Sequence, residues 1–132
     1  MINFWESLKK RDVCYAGTGT SFETIKNAEM QLGLVFAKEY TEYLSMCGIL
    51  SSDGHEFTGI ANSERLNVVK VTREAREKLK VSNDYYVIEE LHVDGEYVLQ
   101  NSKGEVFLCS NNRKIIKIGN SIIDYLTYDL SE

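Results

Sequence analysis

Residues 22–48 constrain the fold of this chain more than any other stretch. Phe22, Ile25, Ala28 and Leu32 recur at helical spacing and mark one apolar face. Gly33 follows them, a residue suited to the left-handed conformation that closes helices. Tyr40, Tyr43, Leu44 and Cys47 repeat the pattern, and Gly48 stops it. Two short helices with one apolar stripe each cannot bury those stripes alone. They must dock on something larger, and the rest of the chain offers sheet.

The clearest strands are 85–91, 97–101 and 105–110, joined by turns at Asp94-Gly95 and Lys103-Gly104; they predict a three-stranded antiparallel meander. Upstream, 13–16 reads as a short extended run. Residues 49–51 and 56–60 flank the hairpin signal Asp53-Gly54. Residues 114–118 either add a strand or lead into a last helix. Further helices are expected over 2–10, with Phe4, Trp5 and Leu8 on one side, and over 64–79, with Val68, Val71, Thr72, Ala75 and Leu79 inward. On the wet side of the latter, Arg73 with Glu77 and Glu74 with Lys78 are spaced to pair at i,i+4, each such pair being worth ~0.3 kcal/mol where it forms. Thr20-x-x-Glu23 fits a capping box for the helix through Leu32. Ser121-x-x-Asp124 caps a closing helix that turns Ile122, Ile123, Leu126 and Leu130 inward. Consecutive strands with helices at the ends and middle predict an α+β fold: a single domain over 1–132, mainly antiparallel sheet with helices packed at its face and edges.

The length of 132 residues and an apolar content of 43% suit one core without staples. No run is long enough to span a membrane and no secretory leader pattern opens the chain, so a cytoplasmic location is expected. Three cysteines, an odd number without C-x-x-C spacing, signal neither a disulfide framework nor a zinc site. The formal net charge of −5 argues against direct nucleic-acid binding, which needs clustered Lys and Arg.

The motifs that carry chemistry fail one by one. Gly17-Thr18-Gly19-Thr20-Ser21 lies where a phosphate-cradling loop would, but Phe22 stands where the dinucleotide fingerprint needs its third glycine, and no Gly-Lys-Ser/Thr is present. It reads as a connector ending in an N-cap. His55 and His92 have no second ligand at metal spacing. Cys14, Cys47 and Cys109 lack a nucleophile context, and no serine has an elbow motif. No catalytic residue, cofactor or metal site is therefore expected. Glu29, at the edge of the first stripe, reads as a structural tether to a backbone donor or to Arg73 or Arg76. Gly33, Tyr40 and Gly48 complete the expected structural set.

Acidic residues collect around the turns and strands. Asp53, Glu56, Glu89, Glu90, Asp94 and Glu96, with His55 beside the first turn, are the candidate partner-binding residues; Glu105 extends the same acidic character. Charges on a sheet discourage unwanted strand pairing, and the same charges can steer a basic protein into contact. Tyr40, Tyr43, Tyr85, Tyr86 and Tyr97 are candidate aromatic anchors, with Tyr40 and Tyr43 mostly core.

Ala28-Glu29-x-x-Leu32-Gly33, Phe36-x-x-Glu39-Tyr40-x-x-Tyr43-Leu44 and Gly48 together resemble the N-terminal signature of the SUKH superfamily. Gly59, Val68-Val69-x-x-Thr72-x-x-x-Arg76, Tyr86-Val87-Ile88, Asp94-Gly95, Gly104-Glu105-Val106 and Ser121-x-x-Asp124-Tyr125-Leu126 extend the likeness over nearly the whole chain. The family usually has proline where this chain has Ala37. The resemblance implies a non-catalytic α+β domain, in bacteria mostly an immunity protein that binds and neutralises a cognate polymorphic toxin, often a nuclease. A regulatory or scaffold module of the same superfamily is the alternative. The expected partner is a basic toxin protein, with no cofactor, no nucleic acid and no membrane. The family shares no catalytic residues to carry over.

Overall fold

A computed structural model describes residues 14–16, 19–52, 55–60, 67–91, 96–110 and 115–125. The expected helix over 2–10 and the turns Asp53-Gly54 and Asp94-Gly95 fall outside these residues. Among the described residues seven strands form one sheet whose spatial order is the chain order: β1 (Cys14–Ala16), β2 (Leu50–Ser52), β3 (His55–Phe57), β4 (Tyr85–Glu90), β5 (Tyr97–Asn101), β6 (Val106–Cys109) and β7 (Ile115–Gly119). Every neighbouring pair is antiparallel. The expected α+β fold is present, and its meander is longer than the three strands read with most clarity. Residues 115–119 are a strand, which resolves the alternative left open for them.

Among the described residues three complete helices flank the sheet, α1 (Phe22–Leu32), α2 (Lys38–Cys47) and α3 (Val68–Leu79), and residues 122–125 are helical as well. Strand alternation sends Tyr86, Ile88, Val98 and Val106 into one core with Ile25, Leu32, Tyr40 and Leu44 of α1 and α2. It sends Val87, Leu99 and Cys109 into a second core with Val71 and Ala75 of α3. The middle of the sheet is thus covered on both faces. That is why β4 and β5 read as nearly continuous apolar runs rather than a clean alternation.

Local signals account for the helix ends. Ser21, not Thr20, caps α1, its Oγ accepting from the Thr24 N–H at 3.3 Å. Thr20 is drawn outward from that role: its N–H donates to Leu44 O at 2.8 Å and its hydroxyl to Ile60 O. The expected capping box is corrected by one residue. Starting there, α1 buries Ile25, Ala28, Glu29 and Leu32, while Phe22 lies 68% exposed under the Lys26 ammonium. Gly33 takes φ +70° and donates to Glu29 O, ending the helix as the sequence predicts. Gly48 closes α2 with φ +68°. Asn67 caps α3 through two backbone donors, Val69 and Lys70.

Glu29 is a tether, to a backbone donor and not to arginine. Its buried carboxylate accepts from Phe36 N at 2.8 Å and pairs with Lys26 at 3.2 Å, fixing the α1–α2 connection. Arg73 and Arg76 instead reach the last carbonyls of α1, donating to Gln31 O at 3.4 Å and Leu32 O at 3.0 Å. No basic residue of α1 itself lies in that last turn. Cations from α3 therefore offset the negative end of the α1 dipole.

Helix α2 is held down by aromatic rings and buried hydroxyls. Tyr40, Tyr43 and Tyr86 are fully buried. Tyr40 stacks near Tyr86 and Phe36 with centroids 5.0 and 5.1 Å apart. Thr58 is the polar hub between helix and sheet. Its Oγ1 donates to Val87 O at 2.7 Å, so its contact with Tyr40 Oη at 2.9 Å must be one it accepts. Tyr43 Oη donates to Thr58 O at 2.7 Å. Tyr86 Oη accepts from Ala37 N at 2.9 Å and donates to Gln100 Oε1 at 2.7 Å. Gln100 then donates to Gly104 O and to Glu39 Oε1, which also accepts from Ile122 N at 2.6 Å. Burial raises the tyrosine hydroxyls well above their ordinary range, so they serve as neutral donors.

Two glycines are needed for different reasons. A Cβ on Gly33 would meet no atom, and only its positive φ resists substitution. A Cβ on Gly59 would lie 1.8 Å from Gly48 O, a backbone atom. Gly33→Ala should cost about 1 kcal/mol, whereas Gly59→Ala should cost clearly more because main chain must move. Chemical denaturation of both variants checks the order, and equal losses would contradict it.

Glu39 supplies a pH prediction. Burial raises its pKa, against the lowering effect of its bonds to Ile122 and Gln100, and Asp124 and Glu42 add repulsion. Such a carboxylate binds more protons folded than unfolded, so its contribution is full below the unfolded pKa near ~4.3 and is lost as pH rises through the folded value. Glu39→Gln keeps the acceptor and removes the charge. Its Tm relative to the parent should therefore climb as pH is raised from 4 towards 7; a constant difference would refute the shift.

Candidate partner-binding surface

Antiparallel register decides which of the acidic residues meet. Ser52 pairs with His55, Phe57 with Glu89, and Glu90 with Tyr97. Glu56, Glu89, Glu90 and Glu96 consequently gather at one end of β3, β4 and β5, the end where the β2–β3 and β4–β5 connections lie. Residues far apart in sequence converge there because each strand reverses direction. Asp53 and Asp94 lie outside the described residues, as does the His55 side chain; only the His55 backbone is placed, in β3.

The four described carboxylates do not play one part. Glu90 is exposed, and Glu56 and Glu96 are half-buried. Glu89 is only 4% exposed. Its Oε1 accepts from Tyr125 Oη at 2.7 Å and its Oε2 from Glu56 N at 3.3 Å. Among the candidate partner-binding residues, Glu89 is thus turned away from solvent. The cause is a bulge in β4: Val87 faces Leu99, yet Glu89, two residues on, faces Val98, the very next residue of β5. One extra residue, Ile88, inverts the alternation beyond it. Glu89 is thereby turned onto the face of the closing turn, beside Tyr125, and Glu90 is turned outward.

The aromatic anchors are likewise redistributed. Tyr40, Tyr43, Tyr86 and Tyr97 are buried. Tyr85 is half-buried and packs edge-on against Phe107 at 5.1 Å. Exposed apolar side chains lie elsewhere, with Phe22, Met30 and Val35 on and after α1 and Ile115 and Ile116 on β7. The sequence offered one sign of the latter, the unbroken pair Ile115-Ile116 in a strand that alternation cannot bury on both sides.

Chemistry within the described residues is sparse. No three His, Cys, Asp or Glu side chains converge on a point that could hold a metal ion, among the described residues. Cys47 and Cys109 are buried, and burial raises the Cys109 thiol away from its reactive thiolate form. Glu105 belongs to an exposed cluster of its own: Asn101 and Lys117 donate to it and hold its pKa below the usual carboxylate value. No described helix is long and apolar enough to cross a membrane. Glu90, with the half-buried Glu56 and Glu96, leaves this end of the sheet acidic.

The bulge makes a contrast between adjacent residues. Glu89→Ala should destabilise the fold by roughly 2 kcal/mol, since it strands a tyrosine hydroxyl and a backbone N–H. Glu90→Ala should stay within about 0.5 kcal/mol. Urea titrations of the two variants measure this, and equal behaviour would mean that Glu89 is not turned inward.

A family model described as SMI1-KNR4 cell-wall, of the SUKH group, matches residues 1–130. A solved structure described as the crystal structure of a protein from Pseudomonas syringae pv. tomato has a TM-score of 0.75 to this chain at 16% identity, covering 93% of this chain and 92% of that one. At that identity the likeness concerns the fold alone. No curated protein sequence matches the chain.

Proposed function

The chain belongs to the SUKH, or SMI1-KNR4, family, and from that premise we propose that it is an immunity protein that binds and neutralises a cognate bacterial toxin in the cytoplasm. The family match over 1–130 carries the reading. The acidic end of β3–β5 supplies its physical form. Glu90, Glu96 and Glu56, with Asp53 and Asp94 in the adjoining connections of the sequence, present negative potential to a basic partner. Opposite charge accelerates encounter and fixes orientation more than it adds affinity. Neutralisation then works by covering the toxin's active surface, with no reaction catalysed by this chain.

Co-expression with the toxin encoded beside it should restore growth. Glu90→Lys combined with Glu96→Lys should slow association by about tenfold or more at low salt, with a smaller effect at high salt. Stopped-flow association at two ionic strengths reads this directly. Continued killing at comparable expression would overturn the proposal. The family description as cell-wall proteins favours a second reading, a non-catalytic regulatory or scaffold module, which predicts a non-toxin partner and no protection.

A further inference from the structure

Strand β7 closes one side of the sheet, and among the described residues no strand lies beyond it. Its outward backbone N–H and C=O groups form an open edge, a template for another strand. The same strand carries exposed apolar side chains, Ile115 at 39% and Ile116 at 54%. They flank the edge on opposite faces of the sheet. Ile115 pairs with Cys109, which belongs to the core beneath α3, and Ile116 pairs with Leu108, which packs on the core beneath α1 and α2. A helix laid on one face would cover one isoleucine and miss the other. A strand added at the edge flanks both and continues the backbone ladder. Open edges are commonly guarded by lysine. Here the Lys117 ammonium is drawn sideways to Glu105, at 2.9 Å, so its charge is already matched within the protomer.

We propose that this edge pairs with the same edge of a second copy of the chain, antiparallel, about a two-fold axis normal to the sheet. Such an axis continues like faces across the join, so the residues that meet must lie on the same face in both copies. β7 matches itself in one register. With the axis at Ile116, that residue meets its own copy on one face, and on the other Ile115 meets Lys117 of the second copy, twice. The lysine stem can lie along the isoleucine while its head stays with Glu105. An axis at Lys117 would instead set two ammonium groups opposite each other. An axis at Ile115 would carry Ile116 past the start of the other copy's strand. The strand thus supplies its own complement, in apolar contact and in charge. The inference concerns an edge two strands away from β5 and does not rest on the toxin-binding reading.

Sedimentation velocity of the full chain from about 10 μM to about 1 mM should show the mean mass rising towards twice that of the monomer. Each copy carries a net charge of −5, so dimerisation should strengthen as salt screens that repulsion, the opposite of the salt response of a basic protein docking on the acidic end. Ile116→Lys, at an exposed position, should leave Tm unchanged and weaken the dimer by at least about tenfold, because it sets like charges opposite each other on the axis. Met30→Lys, at a residue 80% exposed on α1, adds the same charge and should leave the dimer intact. In the parent protein, hydrogen exchange of the amides in 115–117 should slow as concentration rises. A monomer throughout the range, a dimer that survives Ile116→Lys, or equal losses from Ile116→Lys and Met30→Lys would overturn the proposal.

Discussion

The docking of α2 onto the sheet depends on a run of buried polar groups, each satisfied by another. Tyr40 and Tyr43 reach Thr58 from the helix, and Thr58 passes its own proton to Val87 O in β4. Tyr86 answers from the sheet, joining Ala37 N to Gln100. In a low-dielectric interior such bonds are strong when complete and costly when one is missing. They also select a single geometry for α2, whereas an apolar stripe alone tolerates sliding. Glu39 extends the run to Ile122, so the start of α2 and the closing turn share one carboxylate.

Much of this architecture was legible in the residues. The stripe Tyr40, Tyr43, Leu44 and Cys47 faces the core as its spacing demands, and Gly33 and Gly48 end their helices with positive φ. Strand positions followed from β-branched and aromatic runs between turn residues, because those side chains suit a pleated surface packed on both sides. The polar hub was harder to see. Thr58 and Gln100 look unremarkable in sequence, and only three-dimensional register brings them under tyrosines from another element. Gln100 left one trace, a polar residue at an inward position of β5 beside Val98.

The candidate surface was less legible, for one physical reason. Reading a strand as strict alternation assigns Glu89 and Glu90 by parity, and a bulge changes parity without changing composition. Likewise Phe22 belongs by spacing to the α1 stripe, but the cap at Ser21 makes it the first helical residue, beyond the reach of the sheet. Clustering of the acidic residues at one end survives both corrections, since antiparallel order alone determines it.

The bond between Ala37 N and Tyr86 Oη links two positions 49 residues apart. Proline, usual in the family where this chain has alanine, has no N–H to offer. With proline there, the phenol oxygen would lose its donor, and a phenylalanine at 86 would in turn leave the Gln100 carbonyl without its proton. Positions 37, 86 and 100 are therefore linked energetically across the fold, through one phenol that accepts from the start of a helix and donates into the sheet.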